Sequence, residues 1–108
     1  MSFNRDPAIN TCRTLIMSTA EHVSNKIDNL SSKDAYLTAI NKTLSILDNS
    51  CESNIFETIE KICQLQFEAD TLYQWSIKDP FFQRKNYFLL GCAHVEDVMF
   101  SISKRFVN

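Results

Sequence analysis

The sequence predicts an all-α fold, a single-domain antiparallel four-helix bundle connected up-down-up-down over residues 1–108, and three observations lead to it. The first is turn chemistry: 108 residues contain one glycine and two prolines. Sheet proteins draw on glycine for primed hairpin turns and bulges, and this chain has almost none to offer. The second is the placement of the prolines, which both follow an aspartate, in Asp6-Pro7 and Asp79-Pro80. An Asp cap followed by Pro in the first turn starts a helix, because that turn has no use for the missing N–H. The third is periodicity, since apolar residues recur at three- and four-residue intervals along most of the chain.

The first predicted helix covers about 7–29, with Ile9, Cys12, Ile16, Ala20, Val23, Ile27 and Leu30 on one stripe. No strand produces that spacing. Leu15 and Met17 widen the stripe on either side, and Asn10, Arg13, Thr14, Glu21, Asn25 and Asp28 fall opposite. Ser31-Ser32 marks a break and an N-cap for a second helix over 33–48, striped by Tyr36, Ile40, Leu44 and Leu47. The second helix fades into Asp48-Asn49-Ser50, whose side chains compete for backbone hydrogen bonds. Asn54 and Glu57 have the spacing of a capping box, opening a third helix that runs through Ile55, Ile59, Ile62, Ala69 and Leu72 to Lys78. Phe56, Cys63 and Phe67 are expected to widen its buried face. The last helix follows Asp79-Pro80, with Asn86 as a second cap and Phe88, Cys92, Val95, Met99, Ile102 and Phe106 on its stripe. Gly91 lies inside it, at a cost of about 1 kcal/mol relative to Ala. Close approach of a neighbouring backbone is the expected compensation. Short connections between four such segments favour antiparallel neighbours.

Composition narrows the function. The chain is 44% apolar and 22% charged, as in ordinary globular proteins. Its net charge of −2 is evenly spread, with no basic stripe, so no nucleic-acid partner is expected. No window is apolar enough to span a membrane, and the first residues lack a secretory pattern; cytoplasmic residence is the expectation. Cys12, Cys51, Cys63 and Cys92 match no small disulfide framework, and three of them lie on apolar stripes as reduced core thiols.

No motif predicts catalysis, a cofactor or a metal, and the chain is read as a non-enzyme. A single glycine excludes a phosphate-binding loop, and no Glu-x-x-His pair is present for a dinuclear carboxylate site. Cys92 and His94 are two positions apart, about 200° round a helix, and cannot share one ion. His94 and Asp97, three apart, are at the spacing of a local imidazole–carboxylate pair.

Surface character is the remaining guide. Nine of the aromatic residues fall in the last 42 positions, and Tyr73, Trp75, Phe81, Phe82, Arg84, Lys85 and Tyr87 gather around the third connection. Aromatics with arginine are enriched at recognition hot spots, although the same rings serve equally as a plug closing the bundle. Glu57, Glu60, Gln64 and Glu68 form an acidic face on the third helix that suits a basic partner. The leading expectation is a small protein-binding module that masks another protein, such as an immunity- or antitoxin-type inhibitor covering a bacterial toxin domain. A homodimeric helical adaptor or chaperone-like protein is the alternative, and a small enzyme or metal-binding protein built on His94, Asp97, Cys63 and Cys92 is the third.

Overall fold

The computed structural model describes residues 6–73 and 83–104. Helix α1 spans Pro7–Ser24 and starts where the Asp-Pro pair predicts: Asp6 is extended, and the Ala8 N–H donates to its carboxylate at 2.9 Å. It ends five residues earlier than the periodicity suggests. Asn25, Lys26 and Ile27 turn back onto the carbonyls of Glu21, Val23 and Ser24, which carries Ile27 into the core without a helix beneath it. Leu30 therefore leaves the α1 stripe; it is 79% exposed and opens α2, Leu30–Asp48. The α2 cap is Asn29, whose side chain accepts from the Ser32 N–H at 3.0 Å, so the predicted Ser31-Ser32 cap lies inside the helix instead.

A turn of 3-10 helix at Glu52–Asn54 leads into α3, Ile55–Gln64. The predicted capping box does not form. Asn54 commits its side-chain oxygen to the Cys51 N–H at 2.9 Å, which stabilises the preceding turn rather than the helix end. After Gln64 the chain tightens into a 3-10 segment, Leu65–Glu68, and resumes as a short α4, Ala69–Leu72. The switch keeps Leu65 and Ala69 buried. Phe67, two positions past Leu65, is carried about 240° round at three residues per turn and faces outward. The described part of this arm stops at Tyr73, with φ −130° and ψ 74°. The expected run to Lys78, the Asp79-Pro80 stop, and Trp75, Phe81, Phe82 and Phe106 lie outside the described residues. Helix α5, Gln83–Ser103, includes Asn86 in its second turn, so Asn86 is not a cap. Its buried stripe of Phe88, Cys92, Val95, Met99 and Ile102 is the predicted one.

Polar contacts between helices fix the topology. The Arg13–Asp48 ion pair at 2.7 Å sets α1 antiparallel to α2. Thr58–Ser50 at 2.8 Å and Lys42–Glu68 at 3.6 Å set the third arm antiparallel to α2. Cys63 beside Glu96, with Asp70 on Lys85, sets it antiparallel to α5. Helices α2 and α5 consequently run parallel, on a diagonal of the up-down-up-down four-helix bundle. That diagonal is short: among the described residues, α2 and α5 pack together more extensively than any other pair of helices. A Cβ on Gly91 would stand 2.9 Å from the Ala39 Cβ and 3.0 Å from the Tyr36 carbonyl oxygen, so α5 touches α2 backbone there.

Replacing Gly91 measures this close approach. Gly91→Ala removes a helix penalty of about 1 kcal/mol, yet neither neighbour is a flexible side-chain tip able to swing away. The net expectation is a loss of about 1–2 kcal/mol, or about 5–10 °C in melting temperature for a domain of this size. Thermal denaturation of Gly91→Ala against an exposed control, Ala93→Gly, decides it; an unchanged or raised melting temperature contradicts the close approach.

Candidate functional site

Four members of the predicted aromatic–basic cluster lie within the described residues, and the fold brings them together. Tyr73 ends α4 with its ring centroid 5.6 Å from that of Phe88, and the Arg84 guanidinium carbon lies 5.5 Å from the Tyr73 centroid. Lys85 pairs with Asp70, and Tyr87 is half-buried between the two core clusters. The Asp70 carboxylate offsets a cation placed in the first turn of α5, where the helix dipole disfavours positive charge. These residues tie α4 to α5. Their contacts are those of a plug at the end of the bundle.

The acidic face is arranged differently from the expectation. Glu57 and Glu60 are exposed on α3, but Glu68 is half-buried and turned toward Lys42 on α2. What accompanies Glu57 and Glu60 is aromatic. Phe56 and Phe67, expected in the core, are 57% and 71% exposed. Among the described residues the third arm packs chiefly against α2 and α5, and Ile55, Thr58, Ile59, Ile62, Leu65 and Ala69 fill its buried strip and leave both rings outside it. Leu72, also assigned to the core stripe, is exposed for the same reason.

Across the boundary with α5, the Cys63 thiol hydrogen-bonds the Glu96 carboxylate. Burial, with the nearby Asp97 charge, holds the Glu96 carboxyl above the usual carboxylate range despite that bond. Phe100, 50% exposed, lies one helical turn beyond Glu96 on the same side of α5. The third arm thus exposes Phe56, Glu57, Glu60 and Phe67 together with Lys61, and α5 adds the half-buried Glu96 and the exposed Phe100, a surface rich in carboxylates and rings. Sequence reasoning saw its carboxylates and missed its rings.

The remaining candidates have structural partners. His94 Nδ1 and the buried Tyr36 hydroxyl are hydrogen-bonded at 2.9 Å, with the rings edge-on, so the histidine binds α5 to α2; its expected neighbour Asp97 is exposed. All four cysteines are free thiols. Among the described residues, no three His, Cys, Asp or Glu side chains stand close enough to hold a metal ion, and no helix is long and apolar enough to cross a membrane. Comparisons with family models, curated proteins and solved structures found no match.

Burial pushes the Cys12 thiol up to about 11 and the Cys92 thiol up to about 12, the latter helped by the Glu96 and Glu68 charges. A thiol near 11 is only about 0.1% thiolate at pH 8, against roughly a quarter for an ordinary cysteine. Iodoacetamide labelling of the native chain at pH 8 is expected to modify Cys51 first and to leave Cys12 and Cys92 unmodified until the chain is unfolded. Mass spectrometry of the labelled peptides reads the order, and early labelling of Cys92 contradicts the packing of α5.

Proposed function

We propose that this chain is a non-catalytic protein-binding module that masks a basic partner with the acidic and aromatic face of α3 and α5. One observation carries the reading: two phenylalanines more than half exposed on one arm that also exposes Glu57 and Glu60. Burying each ring against a partner contributes about 1.5–3 kcal/mol, and aromatic anchors of this kind dominate binding energies. Glu57 and Glu60 contribute on-rate and selectivity, drawing in a cationic surface and rejecting an acidic one. The Tyr73, Arg84, Lys85 and Tyr87 group is assigned to the end of the bundle, and the partner face moves from the third connection to α3. An immunity- or antitoxin-type inhibitor lying over the basic surface of a bacterial toxin domain is the concrete form, within the cytoplasm.

The test compares the parent with a Glu60→Lys/Phe67→Ala double variant, both changes at exposed positions. Proteins captured from a lysate of the source cells by each are identified, and the one that distinguishes them is purified and titrated by calorimetry. The expected result is a basic protein whose affinity for the double variant falls at least about tenfold, about 1.4 kcal/mol. Its association rate with the parent is expected to drop as salt is raised from about 50 to about 500 mM. An identical set of captured proteins for parent and variant removes the reading.

A further inference from the structure

A second face, on the far side of the molecule, carries an independent inference. Arg13, Met17 and Glu21 follow one another at four-residue intervals along α1. They form a ridge along one side of the helix. Met17 is the centre of the ridge and is 49% exposed. Beside it, between α1 and α2, runs a groove of about 440 Å³ whose apolar lining includes Leu37, Ile40 and Leu44. Met17 and Glu21 form the α1 wall of that groove.

We propose that a second copy of this chain docks on α1 about a two-fold axis at Met17. Around such an axis a residue k positions after Met17 meets the residue k positions before Met17 in the partner. Glu21 then faces Arg13 of the other copy, and the pair occurs twice. The charge order along the ridge, cationic, apolar, anionic, is self-complementary in this antiparallel sense. Arg13 already donates one nitrogen to Asp48 at 2.7 Å, which fixes its stem while leaving other N–H groups of the guanidinium fork to a carboxylate from outside. On the axis itself, Met17 of each copy packs against Met17 of the other. The flanking Thr14, Ser18 and Asn41 are exposed and uncharged, and hydroxyl and amide groups both donate and accept, so they tolerate their own kind across the axis.

The extent of the surface sets the expected strength. A strip about 27 Å long and about 20 Å wide over α1 and the groove covers on the order of 500 Å² per copy. That is the lower end for specific association, so a dimer in the micromolar range is expected rather than an obligate one. Sedimentation equilibrium of the full chain between about 10 µM and about 1 mM tests it. The parent is expected to dimerise within that range, Met17→Glu to weaken dimerisation at least tenfold with unchanged helicity and melting temperature, and Glu21→Arg to weaken it also by opposing Arg13 of the other copy. The Glu60→Lys/Phe67→Ala variant is expected to dimerise like the parent, which separates this face from the one proposed above. A chain that stays monomeric at 1 mM overturns the proposal, as does a dimer that survives Met17→Glu or one that is lost in the Glu60→Lys/Phe67→Ala variant.

Discussion

The close approach of Gly91 of α5 to the Tyr36–Ala39 turn of α2 organises the rest of the molecule. In a square bundle, diagonal helices are held apart by the side chains between them. Here Gly91, Ala35 and Ala39 remove that filling, and the diagonal collapses until backbone meets side chain and carbonyl. The tight packing of α5 on α2 at this point offsets the poor helix propensity of glycine. Closing one diagonal opens the other. Helices α1 and α3 are pushed to the two edges, where each packs chiefly against α2 and α5.

That geometry explains the exposed apolar side chains better than hydrophobicity does. An edge helix buries a narrow strip, so residues expected to widen it end up outside. Leu15 and Met17 flank the buried strip of α1, and Phe56 and Phe67 lie beyond that of the third arm. Two surfaces of different chemistry result: one with a methionine between Arg13 and Glu21, one with phenylalanines among carboxylates. The polar contacts hold register. Tyr36 with His94 ties the close diagonal, Thr58 with Ser50 ties the turn into α3, and Arg13 with Asp48 ties the first hairpin.

The candidate site was only half legible. Glu57 and Glu60 could be placed on an outer face from spacing alone, because carboxylates without partners stay in water. Phe56 and Phe67 could not, since an apolar residue beside a stripe reads as core unless the number of neighbouring helices is known. Glu68 went the other way, drawn toward α2 by Lys42. Tyr73 and Arg84, expected near one another, do meet, and with Phe88 they tie α4 to α5.

What local chemistry governs could be read directly: the helical class, the Asp6 cap, the α5 stripe and the need for a close neighbour at Gly91. Each depends on residues within a turn or two of one another, or on a periodicity that a helix translates into a face. The Asn29 cap is itself a bond within one turn; the exposed positions of Phe56 and Phe67 were decided by packing. Their cause is the distance between α2 and α5, a property of two segments about fifty residues apart, and no local pattern encodes the separation of helices that meet only after folding.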